Sequence, residues 1–236
     1  MKYVILPHAE ERRLSFYLAM EEYVARHCPD DDLFFMWQVR PSVIFGRNQL
    51  LKNEVNVAYC RQHHIEMYRR KSGGGCVYAD MGNVMLSFVT SEENVNLAFN
   101  RFVGMVVLVL RKLGVEAVST SHNDILIGKR KVSGTACYHL SGRTIVHGTL
   151  LYDTDMDNML NAITPSQEKL QSKGIQSVRQ RITVLRDVIT LDLSTLKDFI
   201  RTTLCVGERM LSEVEVAEIE QIEQGYLKEE FINIIQ

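Results

Sequence analysis

The chain has 236 residues, 46% hydrophobic and 24% charged, with a formal net charge of −2. This composition describes a globular chain with room for one large core and excludes a general nucleic-acid binder, which would carry a basic excess. Five cysteines (Cys28, Cys60, Cys76, Cys137 and Cys205) are scattered with no C-x-x-C pair, which argues against a zinc site or disulfide framework and for a reducing, cytoplasmic setting.

No signal peptide is expected, because the run after Lys2 soon reaches Pro7, His8 and Glu10. The longest apolar run, residues 104–110, is far too short to span a membrane. Residues 15–27 alternate at helical spacing and end at Pro29 and an aspartate run. Residues 33–39 and 43–46 read as strands, with Trp37 either a core aromatic or a ligand-side one. A helix is expected over 54–64, with His63 and His64 at its end and no metal partners at ligand spacing. Strands over 65–70 and 83–89 should form a hairpin about an intervening glycine turn. Residues 94–113 are apolar almost all round, predicting a buried helix stopped by Gly114. A strand pair turning at Gly128-Lys129, a strand over 144–153 and a short helix over 155–163 follow. Residues 191–236 read as a mainly helical C-terminal segment, with helices over 194–205 and 212–224.

Two stretches carry chemistry. In the first, Arg69-Arg70-Lys71-Ser72 leads into Gly73, Gly74 and Gly75, then Cys76-Val77-Tyr78-Ala79-Asp80 and, further on, Asn83. Glycines let backbone approach a ligand with no Cβ in the way, and successive N–H groups form an anion nest flanked here by cations. A glycine turn with a solvated basic rim is the plainer reading. P-loop and Rossmann spacings are absent: Gly128-Lys129 is followed by Arg130, and residues 77–79 continue as strand. The second stretch runs His122-Asn123-Asp124 to Lys129-Arg130-Lys131-Val132-Ser133-Gly134-Thr135-Ala136. Small residues after Lys131 permit close approach, but spacing alone does not choose between Lys129 and Lys131. His147-Gly148 places a glycine inside a strand, where a ligand or backbone often comes near.

The run RRKSGGGCVYADMGN resembles the R-R-x-S-G-G-G-x-V-x-x-D-x-G-N signature of the lipoate–protein ligase family, as do WQVRPSVIFGRNQ, the Asn123–Ala136 block, the H-G-T-L-L block at His147 and KLQSKGIQSVRQRITVL over 169–185. In that last block Val184 stands where Asn is usual. The resemblance covers about residues 15–185 and implies a single α+β catalytic domain over 1–236: a mixed, largely antiparallel central sheet flanked by helices. It implies ATP-dependent activation of lipoate to lipoyl-AMP, then transfer to a lysine of a lipoyl domain. The acceptors would be E2 subunits of 2-oxoacid dehydrogenases and the glycine cleavage H protein.

By the same resemblance Lys131 is catalytic. Arg70, Ser72, Gly73, Gly74, Gly75, Cys76, Val77, Tyr78, Asn83, Asn123, Asp124, Ser133, Gly134, Ala136, His147 and Gly148 would bind ATP or the adenylate. Mg²⁺ is expected on the triphosphate, with Asp124 a candidate ligand. An apolar slot for the lipoyl chain is expected around Val77, Gly148 and Leu150.

Octanoyltransferases of the same fold family need an activated cysteine before the Asn123-Asp124 position or after the short helix. This chain has Ser119-Thr120-Ser121-His122 and Thr164-Pro165-Ser166-Gln167 there. Cys76 and Cys137 read as small packing groups, and the G-R-G-R-x-G loop of a biotin ligase is absent. Many family members carry a further C-terminal domain for which this length leaves no room. Two readings therefore stand beside the ligase: a separate accessory subunit for adenylation, or a module that holds lipoate without turnover.

Overall fold

The computed structural model describes residues 1–30, 32–120, 124–163 and 181–233. The strands are β1 (Lys2–Ile5), β2 (Asp32–Trp37), β3 (Ser42–Phe45), β4 (Glu66–Arg69), β5 (Val77–Ala79), β6 (Asn83–Thr90), β7 (Ala117–Ser119), β8 (Asp124–Ile127), β9 (Arg130–Leu140), β10 (Arg143–Leu151) and β11 (Gly207–Met210). The helices are α1 (Leu14–His27), α2 (Leu51–Glu54), α3 (Val57–Gln62), α4 (Val95–Lys112), α5 (Met156–Ala162), α6 (Leu193–Leu204), α7 (Glu213–Leu227) and α8 (Glu229–Ile232).

Eight strands form one mixed sheet in the order β11-β1-β2-β6-β10-β9-β8-β7. β1 runs parallel to both β11 and β2, and the remaining pairs are antiparallel. This is the expected α+β architecture. Strand alternation sends neighbouring residues to opposite faces: Phe35, Met85 and Ile145 join a core under α1, while Phe34, Leu86 and Val146 join a second core under α4. α7 packs on the α1 side through Val216, Ile219 and Tyr226, and α6 on the α4 side through Leu196 and Ile200. A fully buried ring such as Phe102 contributes roughly 1.5–3 kcal/mol by leaving water.

β4, β3 and β5 form a separate three-stranded sheet with β3 in the middle. The glycine stretch therefore does not turn a hairpin: it crosses over β3, and β6 pairs in the large sheet instead. Of the helix expected over 54–64, residues 57–62 form α3, which begins where Asn56 accepts from Tyr59 N–H, while Glu54 is the last residue of the preceding α2. α4 is also less buried than its composition suggests: Asn94 caps it, Gly114 at φ +79° ends it, and Leu97 and Leu108 face out. β1 and β11, two short parallel strands with weak patterning, were not legible in the sequence.

Candidate active site

The stretch after β4 is folded around its own arginine. Arg70 donates from Nε to Ser72 Oγ (2.9 Å), from Nη1 to the Ile44 carbonyl (2.9 Å), and from Nη2 to the carbonyls of Gly73 (2.6 Å) and Gly75 (2.8 Å). Expected to offer a fork to phosphate, it spends that fork holding the loop. Desolvation pushes its pKa down to about 10. Gly74 sits at φ +93°, and a Cβ at Gly46 would lie 2.0 Å from the Gly74 carbonyl oxygen, so both positions demand glycine. The neighbouring cations are also engaged. Arg69 donates to the carbonyls of Arg47, Gln49 and Ile232, and Lys71 pairs with Glu22 and lies over the Tyr226 ring. Among the described residues, no acceptor takes the amides of Gly73, Gly74 or Gly75; these N–H groups remain for an anion.

The second block is a two-residue hairpin, with Gly128 at φ +60°. Its register shifts between Ile125, opposite Ser133, and Leu126, opposite Lys131, leaving Val132 as the extra residue of a bulge. A bulge re-aims side chains. Lys131 turns into the site and pairs with Asp124 Oδ1 at 2.7 Å, both side chains partly exposed, while Lys129 and Arg130 point to solvent. Of these three cations, Lys131 is the one that lines the cavity. A Cβ at Gly134 would stand 2.8 Å from Lys131 Cε and Nζ, so that glycine lets the lysine lie across its strand.

The two blocks meet at a cavity of about 290 Å³ between the sheets. Leu18, Trp37, Ile44, Val77 and Met85 give it an apolar wall; Lys131, Asp124 and His147 are polar groups at its surface. Of the other expected residues, Arg70, Gly74, Gly75, Cys76, Gly134, Ala136 and Gly148 also line it. Ser72, Asn83, Tyr78 and Ser133 are buried behind that lining, where Asn83 Nδ2 donates to the Tyr78 carbonyl. Asn123 and residues 169–180 of the KLQSKGIQSVRQ block lie outside the described residues. Leu150 is not part of the slot: it faces α4 within the second core. Trp37 has both roles considered for it, stacking on Tyr17 at 4.9 Å while lining the cavity.

A buried chain of hydrogen bonds runs from the lining into the core. Ser72 Oγ meets His147 Nε2 at 2.8 Å, His147 Nδ1 meets Glu21 at 2.9 Å, Ser87 donates to Glu21 at 2.6 Å, and Trp37 Nε1 donates to Ser87 at 2.9 Å. Glu21 and Ser87 escaped the sequence reading. The available signal was a glutamate pair inside the otherwise apolar run of α1, where an unpaired charge is costly. Serine, histidine and glutamate in this order resemble a hydrolase triad, but Ser72 is fully buried and accepts from Arg70, so it is no nucleophile.

For magnesium, the donor set is thin. Among the described residues no group of three His, Cys, Asp or Glu could hold a metal, and Asp124 is taken by Lys131. No step below is routed through the ion.

A glycine loop, a bulge-aimed lysine and an apolar wall thus meet at one cavity between two sheets. The chain belongs to the lipoyl protein ligase A/B catalytic domain family, whose profile matches residues 14–205. It is 38% identical over 205 residues to lipoate–protein ligase 1 of Staphylococcus aureus, covering 85% of this chain and 62% of that protein. Against the lipoate–protein ligase LplJ of Bacillus subtilis it is 37% identical over 184 residues, covering 77% and 55%. The chain thus spans less than two thirds of these relatives. A chain from the bi-partite lipoate protein ligase system of Thermoplasma acidophilum overlays with a TM-score of 0.86 at 24% identity, over 100% of this chain and 97% of that one. A lipoate–protein ligase A bound with ATP overlays at 0.80 and 23% identity, over 99% of both chains. These overlays establish the shared fold. Among the described residues no helix is long and apolar enough to cross a membrane.

Proposed function

We propose that this domain is a lipoate–protein ligase that works in the cytoplasm, with ATP and lipoate as substrates. The lipoate carboxylate attacks the α-phosphorus and pyrophosphate leaves; a lysine amine of a lipoyl domain then attacks the acyl carbonyl, AMP leaves and the amine loses a proton. Both steps build negative charge on oxygen, which fixed cations and N–H groups stabilise. Placement of Lys131 carries the reading: its amine stands at the cavity where the apolar wall and the glycine loop meet, free of the loop's own bonding. In this role it spans the α-phosphate and acyl oxygens, and the amides of residues 73–75 receive phosphate. The wall formed by Leu18, Trp37, Ile44, Val77 and Met85 takes the hydrocarbon, at about 0.8 kcal/mol per buried methylene. Acceptors of the class expected are the lipoyl domains of 2-oxoacid dehydrogenase E2 subunits and the glycine cleavage H protein. The E2 lipoyl domain named with the Thermoplasma ligase supports the first of these.

Mass spectrometry of an apo lipoyl domain incubated with this protein, lipoate, ATP and Mg²⁺ tests the proposal. The expected result is a lipoyl mass gain that Lys131→Ala abolishes. A gain only from preformed lipoyl-adenylate assigns adenylation to a separate accessory subunit. No gain from either donor refutes ligation and leaves octanoyl-acyl carrier protein as the donor to test.

A further inference from the structure

We infer that Glu21, a residue of α1 outside both chemical blocks, is a positioning residue that sets the proton order of the buried chain holding the glycine loop. The argument runs from the two ends inward. Arg70 Nε can only donate, so Ser72 Oγ is an acceptor there, at 2.9 Å. At the other end the Glu21 carboxylate is acceptor-only, and it receives Ser87, whose hydroxyl in turn accepts from the Trp37 indole N–H. Facing that carboxylate at 2.9 and 3.0 Å, His147 Nδ1 must carry the proton. With the ring neutral, Nε2 is an acceptor, and the Ser72 hydroxyl, 2.8 Å away, donates to it. Every bond is thereby directed: Arg70 to Ser72, Ser72 to His147, His147 to Glu21.

This order has consequences at the site. Glu21, Ser72 and Ser87 are wholly buried and His147 and Arg70 nearly so, so a misdirected proton between them leaves a buried polar group unpaired. Opposite charges stand at the two ends of the chain, with Glu21 favouring the charged form of the desolvated Arg70. Arg70 in turn holds the carbonyls of Gly73 and Gly75. A carboxylate on α1 thus fixes the conformation of the loop on which the proposed phosphate contacts depend, without touching substrate. The inference rests on the ligase reading for its kinetic consequence but not for its proton assignment.

Two measurements on the full chain separate them. Nitrogen-15 NMR of the His147 ring in the wild-type protein should show the Nδ1–H tautomer. Glu21→Gln preserves shape and an oxygen for Ser87, but its amide can donate to Nδ1. That variant should move the ring toward Nε2–H and lower kcat/KM for ATP about tenfold, the worth of one hydrogen bond to a charged group, with the chain still folded by circular dichroism. An Nε2–H or doubly protonated ring in wild type overturns the proposal, as does Glu21→Gln with an unchanged tautomer and wild-type kcat/KM. If wild type ligates nothing, the ligase reading fails, while the tautomer experiment still decides the role of Glu21.

Discussion

In the loop after β4, the Arg70 guanidinium reaches four acceptors, Ser72, Ile44, Gly73 and Gly75, and is nearly sealed from solvent. In the β8–β9 hairpin, the Lys131 amine holds one carboxylate, Asp124, and stays partly exposed at the cavity. Both cations sit beside glycines and small residues, yet one is scaffold and the other is available for chemistry. Burial accounts for the difference. A desolvated cation must fill its donors from the protein, whereas a cation at a cavity mouth can exchange its partner for a substrate oxygen.

The sharpest way to break this contrast is at Lys131. Lys131→Ala should lower the ligation rate by about 10²–10³, as expected for removing one charge-stabilising donor. Its melting temperature should stay within about 2 °C of wild type, since a half-exposed ion pair adds little stability. Arg70→Met should do the reverse to stability: urea unfolding should lose about 3 kcal/mol, because four acceptors lose their donor. Equal destabilisation by the two substitutions would erase the distinction.

Glycine substitutions refine the loop side. Gly46→Ala should cost about 1–3 kcal/mol in urea unfolding, since its Cβ would meet the Gly74 carbonyl oxygen at 2.0 Å. Gly73→Ala, with nothing within 4 Å of the new Cβ, should change stability by no more than about 0.5 kcal/mol.

The smallest effect concerns pH. Burial pushes the Glu22 carboxyl up, but bonds from Lys71, Arg26 and Tyr226 outweigh it and hold the pKa below the usual carboxylate range. A depressed folded-state pKa adds stability above the unfolded value that is lost as pH falls through the folded value. Glu22→Gln should therefore flatten the acid limb of a stability–pH curve, and an unchanged limb would show that the Lys71 pairing does not anchor the loop.

Much of this was legible before any coordinates. The helix stop followed from Gly114, and the β8–β9 turn from Gly128, because helix ends and tight turns are decided by a few neighbouring residues. The glycine crossover was misread as a hairpin because strand-forming residues do not say which strand they pair with, and β3 came between. β1 and β11 were missed for the same reason: their pairing joins residues 2–5 to 207–210.

By itself the sequence marked the two chemical blocks, the helix stop at Gly114 and the turn at Gly128, which depend on local sterics and periodicity; the α+β class came with the family resemblance. Tertiary structure alone decided how each cation is held. A bulge singled out Lys131 from its neighbours, and packing closed Arg70 inside its own loop. It also decided that Glu21 reaches His147 across 126 residues of chain, and His147 reaches Ser72 across 75. Buried polar groups must find partners, and nothing in the local sequence says where in the fold those partners will stand.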